Sequence, residues 1–226
     1  MALDIRKARR HFAEVDPVMA ALVRRIGPCR LDTRVAPDPF EALVRAIVAQ
    51  QVSAKAARTV FARVRAAVAG RRLAPRAMLA LDDDVLRATG LGPTKTGYVK
   101  DLAAHVVDGR LPLARLGTMD DAEVVRRLTA VRGIGVWTAE VFLIFQLQRL
   151  DVFPAGDLAL LTAMTGIYGL PARPTPARAR AVAETWRPFR SIGSWYLWRS
   201  LDQIAPLPVA TGVPIAGARS ASRSRG

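Results

Sequence analysis

VRGIGVWTAEVF, Val131 to Phe142, sets two glycines one residue apart between apolar positions and runs straight into a tryptophan and a helix-like segment. Gly133 and Gly135 permit a tight hairpin, and a helix that follows one presents unpaired backbone N–H groups at its N-terminus. Those donors, with the helix dipole, suit a phosphate oxygen. The spacing is not the dinucleotide fingerprint, because no strand leads in and the third glycine is missing. Nor is it a P-loop, since Gly-Lys-Ser/Thr is absent. Taken alone, a glycine hairpin between helices is as well explained by a plain helix-helix turn.

The flanks extend the pattern. Upstream, Asp120 can cap a helix with Glu123 at the capping-box position and Val124, Val125 and Leu128 on its apolar side. Downstream, a helix is expected from about Val136 to Gln148, so the motif occupies about 120–148. The loop DVFPAG then breaks the chain, and Asp157 opens the helix DLALLTAM. In DPFEALVRAIVAQ, Asp38 caps a helix beginning at Pro39, Glu41 can complete a capping box, and Phe40, Leu43, Val44, Ile47 and Val48 share one face. Ser53 can cap the next helix, which leaves Gln50-Gln51-Val52 in a tight turn. LDDDVLRATGLGPTKTGYVKDLAAHVVDG reads as a short helix at Asp82–Asp84, a glycine break and a helix from about Pro93 to Val107. The three aspartates resemble a metal or acid cluster, but capping of a short helix explains them better. ARARAVAETW and FRSIGSWYLWRSLDQI supply the last helices. Strand-like alternation is scarce and no fixed-period repeat appears, so the expected class is all-α, with roughly ten helices. From Ala205 the chain turns rich in Pro, Gly, Ser and Arg, which predicts a helical domain over 1–204 and a flexible basic tail over 205–226.

Hairpin, loop acid and flanking segments in this order resemble the helix-hairpin-helix DNA glycosylase superfamily, from about Asp16 to about Ile204. FEALVRAIVAQQVSAKAA looks like the segment that enters the minor groove, LGPTKTGYVKDLA like the central Gly/Lys helix, and WRPFRSIGSWYLW like the terminal signature. The resemblance implies a two-lobed helical fold with the active-site cleft between the lobes. Asp157 then takes the catalytic position, stabilising an oxocarbenium-like sugar and orienting water. Read without the resemblance, Asp157 simply caps DLALLTAM, and one carboxylate can do both. Gln51 takes the position of the wedge that fills the stack when a base is flipped out, supported by Gln50. Ser53, Lys95 and the backbone at Gly133, Gly135 and Val136 are candidate phosphate contacts. Hairpins of this family also hold a monovalent cation through backbone carbonyls.

Strand-nicking members resemble one another in carrying a Schiff-base lysine just after the hairpin. Here that position is Trp137, and the four lysines, Lys7, Lys55, Lys95 and Lys100, lie elsewhere. Trp137, DVFPAGD and the terminal signature look like the 3-methyladenine-DNA glycosylase II group, in its compact form because only about 37 residues precede Asp38. Trp137 and Trp198 match pocket aromatics of that group; the position one turn after Trp137, often aromatic there, is Val141. The implied activity is hydrolytic release of alkylated purines from double-stranded DNA without strand cleavage. The alternatives are a glycosylase for deaminated or oxidised bases and a non-catalytic binder of damaged DNA. Arg190, in the terminal signature, can pair with a buried acid or a phosphate.

Composition bounds these readings. The 226 residues are 51% hydrophobic, enough for a substantial core. One cysteine, Cys29, rules out an iron-sulfur cluster or four-cysteine zinc site within one chain, and His11 and His105 make a poor metal pair, His105 reading as structural. No cofactor and no metal are expected. The 34 basic against 19 acidic residues, a net +15, suit a polyanion, although arginine-rich genomic composition accounts for the excess equally well. No apolar stretch approaches membrane-spanning length and no secretory signal opens the chain. The expected setting is a monomer in a prokaryotic cytoplasm, on the nucleoid.

Overall fold

The computed structural model describes residues 5–31, 38–68 and 73–201. Every regular element among them is helical: α1 (Ile5–Val15), α2 (Pro17–Ile26), α3 (Pro39–Ala49), α4 (Ala54–Ala67), α5 (Pro75–Ala80), α6 (Asp83–Leu86), α7 (Pro93–Val107), α8 (Asp121–Thr129), α9 (Val136–Phe145), α10 (Leu158–Ile167), α11 (Pro176–Ala183) and α12 (Arg190–Leu201), with short 3-10 and π turns between some of them. None of the described helices is long and apolar enough to cross a membrane. The chain forms two compact units, one joining Met1–Asp32 to Arg149–Gly226 and the other comprising Thr33–Gln148. The expected tail at 205–226 lies outside the described residues.

The middle unit is organised around α7, which packs on α3, α5 and α6, while α8 and α9 pair beside them. Its entry helix follows the sequence closely. Asp38 accepts hydrogen bonds from the Phe40 and Glu41 amides, Pro39 sits at the first position, and Phe40, Leu43, Val44, Ile47 and Val48 are all buried. The capping boxes form only in half. Glu41 turns to Arg45 at 3.0 Å, and Glu123 turns to Arg126 and Arg127 at 2.7 and 2.6 Å. An arginine one turn ahead offers the carboxylate a charged donor, which a neutral backbone N–H does not match. Hydrogen bonds to Arg126 and then Arg127 accordingly hold the Glu123 carboxyl below its usual value.

The terminal unit centres on α12, whose residues Ser191 through Leu197 are all buried, and which packs on both α2 and α10. Gly193 is required there: a Cβ would stand 2.7 Å from Cε3 of the buried Trp186. α1 and α2 are helices that the sequence reading did not delimit, although Asp16-Pro17 repeats the cap-and-proline signature of Asp38-Pro39. Asp16 does more than cap α2. Its Oδ1 accepts from the Val18 and Met19 amides, and its Oδ2 accepts from the Tyr168 hydroxyl at 2.5 Å and the Trp186 indole at 2.8 Å. One buried carboxylate thus ties α2 to the end of α10 and to the turn before α12.

Two tyrosines make this unit sensitive to alkali. Burial, reinforced by the Asp16 charge, pushes the Tyr168 hydroxyl well above the ordinary value of 10. Burial, and then the nearby Cys29, raises Tyr196 to about 12. Below pH 10 both folded and unfolded chains keep these protons. Above it the unfolded chain releases them first, so stability is expected to fall as pH rises from 10 through about 12. Urea midpoints measured at about pH 9 and about pH 11 check this; equal midpoints contradict it.

Candidate functional site

The hairpin between α8 and α9 is shaped by one obligatory glycine. Gly133 has φ +83, and a Cβ placed on it would stand 2.2 Å from Cδ2 of the Tyr98 ring, far inside contact distance. Gly135 differs from expectation: its φ is −91 and a Cβ there would meet nothing within 4 Å. It is therefore not needed for tightness; its place is to leave open space in front of α9, whose N-cap it forms without any side-chain cap. Val136 and Trp137, the first residues of α9, are about half exposed at 54% and 50%. Uncapped amides beside open space are the arrangement a phosphate oxygen can approach.

Three residues brace this hairpin from elsewhere in the same unit. The Asp101 carboxylate accepts from the Arg132 amide at 2.8 Å, the Gln50 side-chain amide donates to the Gly133 carbonyl at 2.7 Å, and the Tyr98 ring backs Gly133. Gln50 is thus a support of the hairpin. Tyr98 and Asp101 were not singled out from sequence. Gly97, in the middle of α7, was the available signal, because a glycine inside a helix costs roughly 1 kcal/mol against alanine. Its missing side chain makes room for Arg132, which a Cβ would meet at 2.9 Å.

Lys95 is engaged differently from the expected phosphate contact. Its ammonium donates to the Val48 and Gln50 carbonyls at 2.8 and 2.6 Å, closing the C-terminus of α3, and burial lowers its pKa from the usual lysine value. Beyond that end, Gln51 is exposed and left-handed, with φ 55, and Val52 is 45% exposed. A glutamine held in that conformation at a tip is strained in the way functional loops often are. Ser53, also exposed, caps α4 by accepting from the Ala56 amide at 3.2 Å.

Asp157 and Trp198 are brought together in the terminal unit. The carboxylate is 6% exposed; Oδ1 accepts from the Leu160 amide at 2.9 Å and Oδ2 from the Trp198 indole N–H at 3.3 Å. Asp157 therefore caps α10 and is also oriented by a candidate pocket tryptophan. Trp137, the other one, belongs to the middle unit. The loop leading to Asp157 is pinned to the start of α12. Ser191 joins its hydroxyl to the Val152 backbone and its amide to the Leu150 carbonyl, while Arg190 binds the Asp151 carboxylate at 2.6 and 3.1 Å and its carbonyl at 2.9 Å. Arg190 thus pairs with Asp151, which is half-buried rather than the buried acid expected. Its second acidic contact is Glu184, at 3.6 Å.

No group of three His, Cys, Asp or Glu among the described residues could hold a metal ion. His105 is satisfied structurally, its ring nitrogens 2.9 Å from the Asp101 carbonyl and 3.0 Å from Arg110.

Residues 44–188 match the family model described as HhH-GPD superfamily base excision DNA repair protein. The chain is similar to DNA-3-methyladenine glycosylase 1 of Schizosaccharomyces pombe, 32% identical over 200 residues, which are 87% of this chain and 88% of that protein. Among solved structures it is similar to a 3-methyladenine DNA glycosylase of the same yeast in complex with abasic DNA, with TM-score 0.77 and 32% identity over 87% of this chain and 97% of the other. A DNA-3-methyladenine glycosidase from Bacillus halodurans gives TM-score 0.78 at 32% identity, covering 87% of this chain and 89% of that one.

Proposed function

The chain belongs to the HhH-GPD superfamily of base excision DNA repair proteins, and we propose that within it this protein is a monofunctional glycosylase that releases alkylated purines from double-stranded DNA. The observation that carries the reading is the Asp157 carboxylate, buried and aimed by two hydrogen bonds at the end of a loop that follows a DNA-binding hairpin. The similarity to 3-methyladenine glycosylases supports the substrate class.

The chemistry needs little from the protein. An N-alkylated purine is cationic, so breaking its bond to C1′ sends the electron pair to the base and discharges it. The sugar is left with oxocarbenium character, which a carboxylate fixed in a poorly solvated site stabilises. Water then adds to C1′ and passes a proton to Asp157, leaving an abasic site. The leaving group supplies its own activation, so the reaction calls for no cofactor. Trp198, which donates to Asp157, offers an aromatic face for an electron-poor base, an interaction worth about 0.5–2 kcal/mol; Trp137 is the second aromatic candidate. Gln51 serves as the wedge, and the hairpin amides grip the backbone. Ser53 is a further candidate phosphate contact, and Lys95 serves chiefly by holding the end of α3. The same reading takes the protein as a monomer that works on the prokaryotic nucleoid.

A panel of duplexes, each with one lesion, tests the proposal: free 3-methyladenine or 7-methylguanine is expected, and release confined to uracil or 8-oxoguanine contradicts it. Trp137→Lys is expected to yield no DNA adduct trapped by borohydride, since a Schiff base needs a desolvated, deprotonated amine and not merely a lysine. A trapped adduct from that variant would show that the site was shaped for a lyase.

A further inference from the structure

We propose that the groove between α1 and α2 is a second surface for the DNA backbone, separate from the hairpin. Arg6, Arg9 and Arg10 of α1 and Arg24 of α2 line it, all exposed. They follow from the helical period, since positions 6, 9, 10 and 13 of α1 share one face while Ala8 and Phe12 face the core. None of the four meets a carboxylate in an ion pair among the described residues. The other helix-borne arginines of the described chain include several neutralised by an acid one turn away, such as Arg45, Arg87 and Arg126.

The floor is small and apolar, formed by Ala13 and Ala20 with Val23, so a partner can approach the helices closely. The groove holds about 620 Å³, room for a chain segment rather than a lone ion, given that a water takes about 30 Å³ of liquid. Arg6 and Arg10 are separated by a rise of about 6 Å along the helix, of the same order as successive phosphates on one strand. Guanidinium forks match phosphate oxygens in pairs and lose little order on binding. A string of linked phosphates is therefore the ligand that the groove fits.

The inference rests on the reading of DNA as substrate, and binding is measured apart from base release. Affinity of the full chain for an undamaged duplex is followed against salt concentration, for wild type and for the triple variant Arg6→Ala/Arg10→Ala/Arg24→Ala. Arg9 is left in place because its charge also acts on Tyr196. The slope of log affinity against log salt is expected to drop by about 2–3, near 0.9 for each phosphate that the variant no longer neutralises. Substituting the same three positions by lysine, which keeps the charge, is expected to restore most of the slope. Single-turnover base release at saturating enzyme should stay at the wild-type rate. A triple alanine variant with the wild-type slope overturns the second surface and leaves the glycosylase reading intact. Failure of wild type to bind duplex at all overturns both. Loss of affinity for a polyglutamate peptide with duplex affinity unchanged would assign the groove to an acidic protein instead.

Discussion

Asp157→Asn is expected to lower the single-turnover rate of base release by about 10²–10⁴-fold, the range for a positioned proton-transfer group. The substitution isolates the charge. Asparagine caps a helix as well as aspartate does, so its side-chain oxygen can keep the bond from the Leu160 amide. The second oxygen becomes an amide that faces the Trp198 indole N–H, donor against donor, at a cost of about 1 kcal/mol. Melting should therefore shift modestly while the rate collapses. Duplex binding through the hairpin should persist, since Asp157 contributes nothing to those amides. A variant that melts far below wild type would mean that the rate loss reports unfolding, and near-wild-type turnover would remove Asp157 from the chemistry.

Gly133→Ala should produce the largest loss of DNA binding. The alanine must adopt φ +83, which costs about 1–2 kcal/mol for a residue with a Cβ. Its methyl also displaces the Tyr98 ring, an overpacking penalty of about 1–3 kcal/mol. Because the hairpin is held by Asp101, Gln50 and Tyr98 together, the displacement carries into the amides that open α9. Urea unfolding and duplex affinity measured on one preparation check both consequences. In the double variant Tyr98→Ala/Gly133→Ala the steric part should be relieved and the backbone part retained, so the two substitutions should not add. Gly135→Ala makes the useful contrast, as its backbone is ordinary and its Cβ meets nothing. It should be folded normally and show any weakening in DNA affinity alone.

What could be read from the sequence follows from how local each cause is. α3 and α7 begin where a capping residue or a glycine precedes proline, Asp38-Pro39 and Gly92-Pro93, and their bounds match expectation. Asp157 as a cap was equally local, because the amide it accepts from lies three residues on. α9 ends at Phe145, earlier than the expected Gln148, where the backbone turns left-handed with φ 53. The sequence carries no glycine there to announce the reversal. The brace of the hairpin was not legible for a different reason. Asp101 reaches Arg132 across 31 residues and Gln50 reaches Gly133 across 83, pairings that only the packing of α3, α7 and α9 creates. Lys95 shows the same limit: its charge was legible, but its use on two carbonyls at the end of α3 was not. Asp16 is the opposite case, a cap whose local signal was present and whose four donors come from three separate segments.

The most direct test of the central claim is a single-turnover reaction on one duplex carrying 7-methylguanine, run with wild type and Asp157→Asn and resolved with and without alkali. Wild type should leave the strand intact until alkali cuts it at the abasic site, and Asp157→Asn should show no cutting beyond what alkali causes at 7-methylguanine without enzyme. Strand cleavage before alkali, or alkali-labile sites formed by Asp157→Asn at the wild-type rate, would contradict a water-dependent glycosylase driven by Asp157.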